Sequence, residues 1–217
     1  MKNKAWTALF VGIVLFFASC GDGAQKSYWE NGKVKSELHY KDGKLDGACR
    51  WYYADGTPQM QAEYKDDQKN GHSLRWFENG KLAEDAWYKD GLLDSVCRTY
   101  TVKGDLASEG YYKHGKLDGP YKKWHENGQV FQDGQYADGM MDGSWLVFYP
   151  EGTLAATAQY DHGKGKQIGY EQSGYKCMEV EYLDNQKHGK EIHYNPDGKV
   201  AKVIEFDHGK VVSGNGE

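Results

Sequence analysis

From Tyr28 to Val212 the apolar and aromatic positions return with two superposed periods. The short period is two residues. Val34, Ser36, Leu38 and Tyr40 alternate with polar neighbours, and so do Leu154, Ala156, Ala158 and Tyr160, the pattern of a strand with one face buried. The long period is read from a turn glycine, found at Gly32, Gly56, Gly80, Gly104, Gly128, Gly152, Gly174 and Gly198, at steps of 24, 24, 24, 24, 24, 22 and 24 residues. Eight residues after each glycine stands Tyr40, Tyr64, Tyr88, Tyr112, Tyr136, Tyr160, Tyr182 or Phe206. Four before it stands Tyr28, Tyr52, Trp76, Tyr100, Trp124, Phe148, Tyr170 or Tyr194. Self-similarity at such a period is the signature of a repeat array, whose units bury their apolar faces by stacking on their neighbours. The expected fold is all-β: an elongated single-layer antiparallel meander of about eight 24-residue β-hairpin repeats. At ~4.8 Å per strand it would be roughly 75 Å long, with no helix beyond an N-terminal leader.

A slip of one residue would send every side chain of a strand to the other face, so the same columns select the turn. A two-residue Asn127-Gly128 loop would put Trp124 on a face with Phe131, in a column that is mostly Lys, Gln or Ala. A three-residue Glu126-Asn127-Gly128 loop, a type I turn closed by a left-handed glycine, would put Trp124 with Val130, Gly134 and Tyr136. The second arrangement gathers both aromatic columns and the Val/Leu column on one side, and is the one expected.

The units YKDGKLDG (Tyr40 to Gly47), YKHGKLDG (Tyr112 to Gly119) and YADGMMDG (Tyr136 to Gly143) are each followed by an aromatic residue and an N-G or D-G turn. They resemble MORN repeats, most of all the variant in bacterial proteins labelled YwqK-type antitoxins. The resemblance covers roughly Tyr28 to Val212 and implies a single meandering antiparallel sheet. The chain departs from the pattern at Asp67 and Asn185, where the first-turn glycine is missing, and at Ser95 and Ser213. It departs again at Gly163-Lys164-Gly165, where two residues are lost. Asp and Asn tolerate the left-handed region, so the turns at Asp67 and Asn185 are expected to form.

Ahead of the repeats, Lys2 and Lys4 precede an apolar run from Ala5 to Phe17, then Ala18 and Ser19 before Cys20. This reads as a secretory signal, too short for the ~20 residues of a comfortable membrane span. Phe17 to Cys20, FASC, resembles a bacterial lipobox, whose cysteine becomes the lipidated first residue of the mature chain. The resemblance implies lipid attachment at Cys20 and a place in the cell envelope, with the outer membrane as the expected address and its side left open. Several acyl chains, at ~0.8 kcal/mol per buried CH2, anchor durably where one does not. Asp22 and the adjacent glycines are a candidate sorting signal on the same resemblance. The expected organisation is a signal peptide at 1–19, a lipidated tether at 20–27, the array at 28–212 and a tail at 213–217.

Charge narrows the partners. The leader holds two of the 27 basic residues and none of the 32 acidic ones, leaving 25 against 32, about minus seven. No basic stripe is visible, so nucleic acid and anionic lipid surfaces are not expected partners.

Candidate chemistry is thin. His114, His162 and His208 occupy a turn column held elsewhere by Asp42, Asp66, Asp90, Asp138 and Asp184, and read as turn residues. Equivalent positions of adjacent repeats lie ~10 Å apart, whereas a metal needs its ligands within ~2 to 2.6 Å, so no metal site is expected. Paired turn carboxylates such as Asp42 and Asp46 offer an acid and a base in principle, but Asp is the ordinary occupant of such turns. Gly163, Gly165 and Gly169 miss the GxGxxG spacing, and neither GxSxG nor GxxxxGK[ST] occurs, so neither an enzyme nor a cofactor is expected. Cys49 and Cys97 share a column two repeats apart, ~19 Å on the ribbon, beyond the ~7 Å limit for a disulfide.

The functional expectation is a membrane-anchored, non-catalytic and monomeric module that binds a protein or a glycan in the envelope. The family label supplies an alternative, an antitoxin or immunity protein that neutralises one toxin by binding; an anchored chain meets only a toxin that acts in the envelope. An envelope enzyme using turn carboxylates is a third reading, with no Asp to nominate. Candidate partner-binding residues come from columns that break their own rule. Seven residues after the turn glycine stand His39, Glu63, Gln135, Gln159, Glu181 and Glu205, but Trp87 and Tyr111 in the middle repeats. Other columns assigned to that face add Phe131, Tyr121 and Trp145, so five large side chains gather over three repeats. Such a patch is either an interaction surface or a local second core where the ribbon curls.

Overall fold

The computed structural model describes residues 22–216, and the expected signal peptide and Cys20 lie outside the described residues. What is described is strand and turn only. The strands are β1 (Gly23–Tyr28), β2 (Val34–Lys41), β3 (Lys44–Leu45), β4 (Gly47–Tyr52), β5 (Pro58–Lys65), β6 (Gln68–Trp76), β7 (Leu82–Lys89), β8 (Leu92–Tyr100) and β9 (Leu106–Lys113). They continue as β10 (Lys116–Trp124), β11 (Val130–Ala137), β12 (Met140–Phe148), β13 (Leu154–Asp161), β14 (Lys164–Tyr170), β15 (Lys176–Leu183), β16 (Gln186–Tyr194), β17 (Val200–Asp207) and β18 (Lys210–Gly216). Each pairs antiparallel with its chain neighbours in one open sheet, β3 and β4 together forming a single strand interrupted at Asp46. The meander is the one expected from the columns.

Two turn types alternate. The first is a two-residue loop with both residues left-handed, as at Asp42 (φ 51) and Gly43 (φ 76), the geometry whose twist matches antiparallel strands. Where its glycine is missing, Asp67 (φ 67) and Asn185 (φ 62) take the same conformation. The second turn is the three-residue loop. Gly128 N–H donates to His125 O at 3.0 Å, His125 N–H donates to Gln129 O at 2.8 Å, and Trp124 pairs with Val130.

Beyond Val130 the structure departs from the expected faces. Lys123 pairs with Gln132 while Trp124 pairs with Val130, so Phe131 is an extra residue, a β-bulge, in β11. The bulge shifts the alternation by one. Trp124 and Val130 therefore share a face, but Gly134 and Tyr136 lie on the other. A larger bulge recurs beside the first turn: Leu117 pairs with Tyr112 and Tyr121 with Gly110, leaving Asp118, Gly119 and Pro120 opposite Tyr111 alone. The 22-residue repeat lacks this second bulge. From Ala156↔Gly169 to Asp161↔Lys164 the register of β13 and β14 is unbroken, so the two residues missing near Gly163 are those the other hairpins use to bulge.

The ends of the array also differ from expectation. Residues 23–27, assigned to the tether, belong to β1, and residues 213–216, assigned to a tail, belong to β18. Asp22, a candidate sorting residue, accepts the Asp42 amide at 2.7 Å, just as Asp142 accepts that of His162 at 3.2 Å. It is the first residue of the repeating turn pattern.

One face carries the core. Its central columns are Cys49, Ser73, Cys97, Tyr121, Trp145 and Glu191, seven before the turn glycine, and Ala62, Ala86, Gly110, Gly134, Ala158 and Val180, six after it. Cys49, Ala62, Ser73, Ala86 and Val180 are buried almost completely. Where the first column grows, the second shrinks. Trp145 lies on Gly134, where an added Cβ would meet its ring at 2.2 Å, and Tyr121 lies against Gly110 at 3.2 Å. Tyr136 meets Tyr121 and Trp145 edge-on, with ring centroids 5.5 and 5.0 Å away.

Candidate interaction face

The bulges decide which of the five candidate aromatics can meet a partner. Tyr121 and Trp145 belong to the packed face, and Trp145 is 4% exposed with its indole N–H donating to Gln135 O at 3.1 Å. They are core, which corrects the patch expected from the sequence. Phe131 is also on the packed face, half-buried, 4.9 Å from the His125 ring and under the Lys123 ammonium at 5.5 Å. Trp87 and Tyr111 remain on the second face, 45% and 39% exposed.

Register places three further residues beside them. His72 is opposite Trp87 and stacks on it, centroids 4.8 Å apart at 17°. Val96 is opposite Tyr111, and Pro120 closes the bulge that faces Tyr111 on its other side. His72, Trp87, Val96, Tyr111 and Pro120 therefore form one stripe across the consecutive strands β6 to β10. Asp85 orients His72, its Oδ1 lying 2.7 Å from Nε2. An open groove lined by Pro120, Gln135, Ser144, Leu146 and Gln159 continues the stripe. The signal for His72, Val96 and Pro120 is in the sequence, in the column eight before the turn glycine, where other repeats have Ala48, Ser144, Lys166 and Lys190. It is assigned to the correct neighbours only once the bulge is counted.

Elsewhere the second face carries ion pairs beside apolar pairs such as Trp124 with Val130 and Phe148 with Leu154. Arg98 meets Glu109 at 2.6 Å, Lys122 meets Asp133 at 2.9 Å, and Lys26 meets Glu37 at 2.6 Å. The Lys26 hydrogen bond holds Glu37 below the ordinary carboxylate range although desolvation opposes it. Glu179 is lowered likewise by hydrogen bonds from Lys166 and Lys176. The pairs made by Arg98, Lys122 and Lys26 each join residues directly opposite on neighbouring strands. The same face also exposes Tyr28, Leu146, Leu154 and Val200; the stripe is where aromatic side chains adjoin across consecutive strands.

Among the described residues, Cys49, Cys97 and Cys177 are free thiols. Cys49 and Cys97 sit in β4 and β8, four strand spacings or ~19 Å apart. Two groups of ligand-type side chains do converge, Asp142 with Asp161 and His162, and His188 with Asp207 and His208, each with donor atoms within 4.8 Å of one another. The spacing argument made from the sequence compared like columns only. These groups combine different columns across one hairpin, which corrects the expectation that no set of donors could meet.

Six segments, residues 21–42, 45–66, 69–90, 117–138, 141–162 and 187–208, match the MORN repeat variant model and together cover more than half of the chain. The chain belongs to the MORN repeat variant family, whose repeats generally mediate protein or membrane interactions and are typically non-enzymatic. The stretches left unmatched contain the repeat with Ser95 and the Thr101-Val102-Lys103 turn, and the 22-residue repeat, yet both fold as the same hairpins. No curated protein matches the chain.

Proposed function

We propose that the protein is a non-catalytic scaffold, anchored in the cell envelope through lipid on Cys20, that holds a protein or glycan against the second face at Trp87 and Tyr111. The observation that carries the binding half of this reading is the exposed stripe from His72 to Pro120. Trp and Tyr bring large contact area at little entropy cost, and the polar groove beside them supplies hydrogen-bonding groups without a net positive field. The anchor half rests on the FASC sequence at Cys20.

Two experiments test the halves separately. Wild type and the Trp87→Ala/Tyr111→Ala double variant, immobilised equally, are exposed to envelope extract. The double variant is expected to lose at least tenfold of the captured partner at unchanged melting temperature, and equal capture by both would remove the stripe from the function. Cys20→Ser is expected to leave the membrane fraction or to retain its leader; labelled fatty acid entering both forms alike would end the lipoprotein reading. Capture of a toxin encoded beside this gene would narrow the partner to the antitoxin case.

A further inference from the structure

We infer that His188, Asp207 and His208 form a binding site for a divalent transition-metal ion of the Zn2+ class. The three positions belong to columns with different ordinary occupants. Position 188 is elsewhere Asp22, Asp46, Asn70, Asp94, Asp118 or Asp142; position 207 is Lys41, Lys65, Lys89 or Lys113 in four repeats; position 208 is most often Asp. In the last repeat all three change together, and the acid, base and acid of the common pattern become two imidazoles around a carboxylate.

The geometry suits one ion. Asp207 Oδ1 lies 3.4 Å from His188 Nδ1 and 2.5 Å from His208 Nδ1, and the two rings have centroids 4.9 Å apart. Donors around a tetrahedral zinc at ~2.0 to 2.2 Å stand roughly 3.3 Å from each other, so the set needs shifts of under about 1 Å. His188 Nδ1 is shielded from solvent and makes no hydrogen bond, although the Asp residues of its column accept a turn amide. Buried nitrogen lone pairs are ordinarily engaged, and a cation is a partner that an imidazole accepts. The backbone under all three donors is fixed. His188 opens the bulge of three residues opposite Glu181, and Asp207 and His208 enter a turn whose Gly209 amide donates to Lys187 O at 2.8 Å. Two nitrogens and one oxygen select Zn2+, Ni2+ or Cu2+ over Ca2+ and Mg2+, which take oxygen sets. All three side chains keep an exposed edge, leaving the other coordination positions to water or to a partner's ligand. The second group is poorer: it has one imidazole, and its Asp142 is already engaged by the His162 amide.

The test is calorimetric titration of Zn2+ into the untagged mature protein in detergent, at neutral pH. His188→Asp and His208→Asp each restore a residue that other repeats carry at that place, so the hairpin is preserved. The site predicts one ion per chain, at least tenfold weaker binding in either variant, a Zn2+-dependent rise in melting temperature only where all three donors are present, and no change in His162→Asp. No saturable uptake by wild type, uptake that both variants leave intact, or uptake lost in His162→Asp instead would each overturn the assignment.

Discussion

At Ser95 the backbone takes φ 112, where Gly47, Gly71 and Gly119 hold the same column at φ 102, 124 and 128. A side chain there is strained, and Ser95→Gly is expected to stabilise by about 1 kcal/mol, read as a higher midpoint in urea. The reverse logic applies at Gly134, whose φ is ordinary but whose missing Cβ makes room for Trp145. Gly134→Ala should cost about 1 to 3 kcal/mol, and much less when combined with Trp145→Ala, because the pair shares one volume. Charge at the buried residues gives a pH signature. Burial pushes the Cys97 thiol from 9.0 to about 11. The folded chain then keeps a proton that the unfolded chain loses, so stability is full below about pH 9 and declines towards pH 11, by about 2 kcal/mol from this group. Cys97→Ser, the residue of its own column at Ser73, should flatten that decline; an unchanged slope would show that the thiol is not held in the core. Glu191 behaves oppositely. Burial alone would raise its carboxyl, but hydrogen bonds from Lys187 and His193 leave it below its ordinary value.

At the scale of the hairpin, what was legible was whatever a single strand records by itself. Alternation marked the strands, and Gly128 with Trp124 and Val130 selected the three-residue turn that is observed. Bulges are different, because an extra residue is extra only relative to a partner strand, and a lone sequence does not display the pairing. For the larger bulge the cue was present in glycines nine before most turn glycines, Gly47, Gly71, Gly119, Gly143 and Gly189, all of positive φ. That larger bulge adds two residues and leaves the faces unchanged. The one-residue bulge at Phe131 carries no such cue, and when it goes uncounted Tyr121 and Trp145 fall on the wrong face. Strands of successive hairpins are tied by side chains at the second turn. Asn31, Asn79 and Asn127 donate to Ala54 O, Val102 O and Pro150 O, and Tyr149 Oη donates to Tyr170 O at 2.8 Å. Tyr149→Phe removes that donor and should cost about 0.5 to 1.5 kcal/mol in thermal unfolding, without altering the isolated turn chemistry at Gly152.

Over the whole molecule, stacked hairpins make a sheet of roughly 80 Å whose stability is close to a sum of neighbour terms. Such an array presents two long faces, and the grooves along its described residues are open. Its sequence variation is therefore spent on surfaces: large residues in the packed columns around Trp145, and an aromatic stripe centred on Trp87 opposite. That two-sidedness is the claim on which the proposed function rests, and thermal unfolding of two variants tests it most directly. Trp145→Ala is expected to lose about 3 to 5 kcal/mol, as a buried aromatic does, while Trp87→Ala should stay within about 1 kcal/mol of wild type. Comparable losses from both substitutions would make Trp87 part of a second core and contradict the account.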